Sequence, residues 1–142
     1  MYTHDITKKN AARNKKPSFD FTDKKLVEFL SREENLHYPE VIDIDPLELA
    51  EKLDDVVIVD VRHPDEFHGE LGHIPGAHLS ILDELEDHLH RFPKDKTVAF
   101  VCRSGGRSAR ACMLALHQGF TNIVNLKGGM ILWNEHHLPT EA

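Results

Sequence analysis

Long apolar runs are missing from this chain. No stretch approaches the roughly 20 residues that cross a bilayer, so a helical membrane anchor is not expected. Cysteine is scarce, at two among 142 residues, which excludes a disulfide framework and makes a reducing, cytoplasmic setting the default. The basic N-terminus has no apolar segment after it, so a secretory leader is not expected either. Nucleotide-binding fingerprints are absent, because Gly105-Gly106 and Gly128-Gly129 lack the further glycines such loops need. Eleven histidines invite a metal, but His88 and His90 face different ways on a helix and His136 and His137 are adjacent. None has a cysteine or carboxylate at a convincing ligand spacing, so surface roles and no metal are expected.

Acidic residues are absent from one long segment. The chain carries a formal −7, yet Lys96 to Asn134 contains no Asp or Glu while Lys96, Arg103, Arg107, Arg110 and Lys127 fall within it. Residues 1–16 hold five basic residues and one acidic, which leaves 12 basic and 23 acidic for the remainder. An acidic body disfavours nucleic acid as a partner. A basic, acid-free segment inside it points instead to local attraction of a small anion.

What is present has an α/β pattern. Residues 1–17, polar and aperiodic, are expected to form a mobile basic tail. Residues 18–40 are expected to form an N-terminal helical extension, with Leu26, Val27, Phe29 and Leu30 as the apolar face of a helix from Asp23 to Arg32. Val41 to Ile44 reads as a short first strand, and Asp45-Pro46-Leu47-Glu48 as a helix start with an N-cap, a proline and an acid. Val56 to Val59 is an unbroken β-branched run suited to a strand covered on both faces. Further strands are expected at 77–79, 97–101 and 121–126, with helices between them at 81–91 and after the glycine pair at 105–106. On the latter helix Ala109, Cys112, Met113 and Leu116 share a face, which makes Cys112 a core residue.

The chemistry concentrates after the strand Thr97 to Val101, in Cys102-Arg103-Ser104-Gly105-Gly106-Arg107-Ser108. Glycines permit a tight turn there, and successive N–H groups of such a turn can cradle an anion. The loop feeds a helix N-terminus, worth up to about 2 kcal/mol to a partly buried negative charge. Arg103 and Arg107 add to it. Cys102 is therefore the candidate nucleophile, held as an anionic sulfur, and a merely structural cysteine is the less fitting reading.

This loop resembles the active-site loop of single-domain rhodaneses, the thiosulfate-type sulfurtransferases. Four residues separate Cys102 from Arg107, as in that family, whereas the phosphatases sharing its fold have five. Asp60-Val61-Arg62 with His63 to Phe67, Gly72 to Ala77, and Lys127-Gly128-Gly129 through Trp133 resemble further rhodanese motifs. One departure is a longer loop at Gly69 to Leu71, which bears on substrate access at that edge and not on the chemistry.

The resemblance implies a rhodanese-like domain over 41–142, a three-layer α/β/α fold with a five-stranded parallel sheet in the order 3-2-4-5-1. It implies a Cys102 persulfide that carries sulfur from a small anionic donor such as thiosulfate to a thiol, to cyanide in assay, or to a protein acceptor. Arg103, Ser104, Gly105, Gly106, Arg107 and Ser108 would bind the donor. Asp60 and Arg62 would support the site, Asp60 orienting loop backbone or pairing with arginine and Arg62 pairing with Glu66. No cofactor, metal, membrane or nucleic acid is called for. A phosphatase or arsenate reductase on the same fold, and a persulfide-carrying or regulatory binding module, are the alternatives.

Overall fold

Three β-branched segments make the centre of the molecule because neither face of them can be left to water. In the computed structural model, which describes residues 18–142, these are β3 (Val57–Asp60), β5 (Val98–Val101) and β6 (Ile123–Leu126), every residue of which is buried. They pair in parallel, with Val59 opposite Phe100 and Phe100 opposite Asn125. β4 (His78–Leu79) extends the sheet beside β3, and β2 (Ile42–Ile44) extends it beside β6. The five parallel strands thus stand in the expected order.

A sixth strand was not expected. β1 (Glu33–Glu34) pairs antiparallel with β2, so the sheet is mixed and runs β1-β2-β6-β5-β3-β4. Two charged residues carry no strand signal, and the pairing comes from the chain doubling back at Asn35 to Val41. The basic tail expected over 1–17 lies outside the described residues.

Helices cover both faces. On one side lies α4 (Gly106–His117), with α3 (Leu85–His88) and the flanking 3₁₀ turns Leu82–Glu84 and Leu89–Arg91. On the other lie α1 (Pro46–Glu51), α2 (Pro64–Phe67) and α5 (Gly129–Glu135). The period-2 alternation of β5 sorts its side chains between two cores: Val98, Phe100 and Cys102 join Cys112 and Ala115 of α4, while Ala99 and Val101 join Met130 and Trp133 of α5. Both cysteines are free and buried. Among the described residues no helix is long and apolar enough to cross a membrane.

The helix expected from Asp23 to Arg32 is not formed. That segment is extended, and its backbone bonds go elsewhere: Lys25 N–H to Asp55 C=O at 3.0 Å, Thr97 N–H to Lys25 C=O at 3.1 Å, Val27 N–H to Thr97 Oγ1 at 2.7 Å. Phe29 is buried and Val27 half-buried, whereas Leu26 and Leu30 are exposed, so the inward residues alternate. Glu48 fastens the segment. Its carboxylate accepts from the N–H groups of Leu30 (2.7 Å) and Ser31 (2.8 Å), the Ser31 hydroxyl and Lys52 Nζ (2.7 Å). Burial opposes ionisation of Glu48, but the bonds from Lys52, Ser31 and Leu30 outweigh it and hold the carboxyl at about 2.

His78 is packed among aromatic rings, with centroids 5.1 Å from Phe19, 5.4 Å from Phe21 and 5.6 Å from Phe92. Burial, aided by the charge of Lys24, lowers it from 6.5 to about 4. The folded protein therefore resists a proton that the unfolded chain accepts, so this ring's stability contribution is complete above pH 6.5 and lost as pH falls through 4. Wild type should lose unfolding free energy across that window, at up to about 1.4 kcal/mol per pH unit from this group. His78→Phe should flatten the loss, as read from urea midpoints between pH 7 and 4.

Candidate active site

Cys102 leaves the carboxyl end of β5 and is 1% exposed. The turn of Arg103, Ser104 and Gly105 that follows brings the start of α4 back over its sulfur. Gly105 caps that helix at φ 105°, a conformation that excludes most other residues, and its N–H donates to Cys102 Sγ at 3.1 Å. The Ser108 hydroxyl, wholly buried in the first turn of α4, donates to the same sulfur at 3.2 Å. Two donors and a helix N-terminus thus converge on one sulfur. Ser104 and Gly106 are exposed at the loop mouth, and a Cβ at Gly106 would meet nothing within 4 Å.

α5 holds the loop from behind. Met130 N–H donates to Cys102 C=O at 2.9 Å and Ile131 N–H to Arg103 C=O at 3.0 Å. The approach is closer than any side chain allows: a Cβ on Gly129 (φ 57°) would lie 2.5 Å from Cys102 O and Arg103 O. The Gly128-Gly129 pair is therefore the counterpart of the Cys102 turn, since the second helix binds the carbonyl groups of Cys102 and Arg103 while the Gly105 N–H faces the sulfur.

Asp60 and Arg62 are both essentially inaccessible and bonded to each other, Nε to Oδ1 at 3.0 Å and Nη2 to Oδ2 at 2.8 Å. Arg62 also donates to Glu66 C=O at 3.1 Å and Gly72 C=O at 2.7 Å. Its guanidinium ties β3 to the loop after α2 through all three of its nitrogens. The ion pair expected between Arg62 and Glu66 is not made. Glu66 instead binds Arg107 through both carboxylate oxygens, each at 2.8 Å. These bonds, against the opposing effect of burial, hold Glu66 at about 2 and raise Arg107. A partner 41 positions away was invisible to spacing, and Glu66 is the site residue that sequence reasoning misassigned.

The electrostatics differ accordingly from those of the sequence segment alone. Arg107 is neutralised, and Arg103, exposed beside Cys102, is a loop cation with no ion pair among the described residues. Arg103 lines a cavity of about 170 Å³ together with Gly69 to Leu71, Arg62, Asp65 and Glu66. The acid-free stretch is acid-free only along the chain, because folding carries three carboxylates to its edge. Among the described residues no cluster of His, Cys, Asp and Glu could hold a metal ion. Cys112 faces the core, and burial pushes its thiol well above its ordinary range.

Residues 45–136 match the family model for the rhodanese-like domain. A sulfurtransferase of Allochromatium vinosum is 38% identical over 105 residues, covering 72% of this chain and 96% of its own. A rhodanese-like domain protein of Staphylococcus aureus superposes with a TM-score of 0.61 at 35% identity, covering 70% of this chain and 98% of that one. A Rhodopseudomonas palustris protein described as a possible tyrosine phosphatase superposes at 0.62 with 28% identity, covering 68% and 82%.

Proposed function

The chain belongs to the rhodanese-like family, and we propose that it transfers sulfane sulfur from thiosulfate or a related anion through a persulfide on Cys102. The observation that carries this reading is the convergence of the Gly105 N–H and the Ser108 hydroxyl on one sulfur. In the first step the Cys102 thiolate attacks the outer sulfur of thiosulfate. The S–S bond of the donor breaks, its electron pair leaves on sulfite, and the enzyme keeps a persulfide anion. Gly105 and Ser108, with other N–H groups of the loop from Arg103 to Ser108, hold that anion in place of the thiolate. In the second step a nucleophile, cyanide in assay or a thiol in the cell, attacks the outer sulfur. The new bond forms as the S–S bond to Cys102 breaks, and the electron pair returns the thiolate. Asp60 and Arg62 act as framework, tying β3 to the loop after α2, rather than as acid or base. Two unpaired thiols suit a reducing compartment, and we assign the cytoplasm.

Loop length separates this reading from ester hydrolysis, since four residues between Cys102 and Arg107 leave a narrower seat than phosphate needs. Parallel assays decide between them. Thiosulfate and cyanide should give thiocyanate and sulfite in equal amounts, while p-nitrophenyl phosphate should be left intact. The opposite pattern would move the protein to the phosphatase reading.

Arg103 is the residue on which donor capture should depend. Arg103→Ala should raise KM for thiosulfate several-fold with little change in kcat, and less for an uncharged donor. Exposed charges are screened over roughly 10 Å at 0.1 M salt, so added inert salt should weaken capture by wild type. The salt dependence should be shallower in the variant. Equal KM values and equal salt slopes would leave binding to the loop backbone alone.

A further inference from the structure

We propose that Asn125 is a positioning residue for Cys102, set in turn by Asp43 and Asn35 through a hydrogen-bond relay that runs from the added sheet edge to the catalytic loop. The inference rests on the sulfurtransferase reading of that loop. Asn125 lies in β6, 1% exposed, on the same face of the sheet as Phe100 and Cys102. Its Nδ2 carries two hydrogens and both are used: one goes to Asp43 Oδ1 at 2.9 Å, the other to Gly105 C=O at 3.2 Å. Gly105 is the residue whose own N–H points at Cys102 Sγ. That carbonyl, which also accepts from Ala109 N–H at 3.2 Å, lies in the peptide unit after Gly105, so holding it restrains the left-handed turn at Gly105 through which the preceding unit aims its N–H.

The orientation of the Asn125 amide follows from its neighbours. Turned over, its oxygen would face the Asp43 carboxylate and the Gly105 carbonyl, two acceptors with no proton between them. The amide oxygen is instead buried without a partner, an arrangement that costs stability and is kept here with both N–H groups in use. Asp43 stands directly across the ladder from Asn125 and across the other ladder from Glu33 of β1. Its Oδ1 also accepts from Asn35 Nδ2 at 3.0 Å, and Asn35 is itself locked by the N–H groups of His37 (2.9 Å) and Tyr38 (3.0 Å) on its side-chain oxygen. Asn35 and Asp43 fall outside residues 45–136, so the edge formed by β1 and β2 has a task at the site that the family match does not cover.

The test reads the sulfur directly, in a Cys112→Ser background, as the pH profile of Cys102 alkylation by iodoacetamide. In that background the charged and titratable groups around Cys102 are Arg103, Arg107 held by Glu66, the Asp60–Arg62 pair and, through Asn125, Asp43, and none of them is altered by changes at Asn125 or Asn35. Asn125→Ala should move the profile to higher pH and lower the rate at pH 7 about tenfold, the scale of one hydrogen bond to a charged group. Asp43→Leu and Asn35→Ala should shift it the same way by less. Asp43→Asn keeps an oxygen for both donors and should match wild type or shift slightly downward, because loss of a negative charge alone favours the thiolate. A lowered Tm with an unmoved profile in Asn125→Ala makes Asn125 a framework residue and overturns the proposal. Equal behaviour of Asp43→Asn and Asp43→Leu overturns the relay. Should Asn125→Ala not fold, the Asp43 pair and Asn35→Ala decide, and wild-type profiles in Asp43→Leu and Asn35→Ala reject it. Alkylation needs no sulfur donor, so an enzyme inactive with thiosulfate would count against the reaction and not against this relay.

Discussion

Cys102→Ser should abolish thiocyanate formation from thiosulfate and cyanide, whereas Cys112→Ser should keep most of the wild-type rate. The two thiols are ten residues apart and both buried, so accessibility alone does not tell them apart. Their surroundings do. Cys102 accepts two hydrogen bonds at the opening of a helix, while Cys112 sits within α4 against the sheet, where burial keeps it protonated. A hydroxyl at position 102 is a far weaker nucleophile near neutral pH and cannot form the persulfide, so activity should fall to background. Inactivity of Cys112→Ser with Cys102→Ser active would reverse the assignment.

Gly129→Ala should cost nearly as much, although Gly129 has no part in the chemistry. The added methyl would lie 2.5 Å from the carbonyl oxygens of both Cys102 and Arg103, and at φ 57° the backbone is itself unfavourable for alanine. Either the catalytic loop or the start of α5 must move. A displacement near 1 Å at a reacting group can cost roughly a hundredfold in rate, and that is the loss expected in kcat. Thermal stability should fall with it. Gly106→Ala is the control, since its Cβ would enter open space and the fold should keep its Tm. Full activity in Gly129→Ala would show that the contact with α5 does not set the loop.

The candidate turn was legible because its pattern is local: a thiol, two glycines and two arginines within seven positions, between a β-branched strand and a helical pattern. Strand order was legible as well, since the buried runs 57–60, 98–101 and 123–126 leave no solvent face and the family pattern fixes their arrangement. Segment 23–32 was not, because Val27 and Phe29 satisfy a strand period as readily as a helix period over so short a run. What decides between them is Glu48, which binds the backbone of Leu30 and Ser31 from 18 and 17 positions away. The same limit explains Glu66. Arg62, four positions away, was the partner that spacing offered, yet Arg62 is taken by Asp60 and the carboxylate reaches Arg107. β1 left no signal at all, being two glutamates whose pairing depends on a turn held by Asn35.

The most direct measurement is the intact mass of the protein after brief treatment with thiosulfate, followed by peptide mapping. The mass should rise by one sulfur atom, located on the peptide containing Cys102, and return to the starting value after cyanide is added. Cys102→Ser should show no gain. A wild-type protein that gains no sulfur, or gains it on Cys112, would contradict the account.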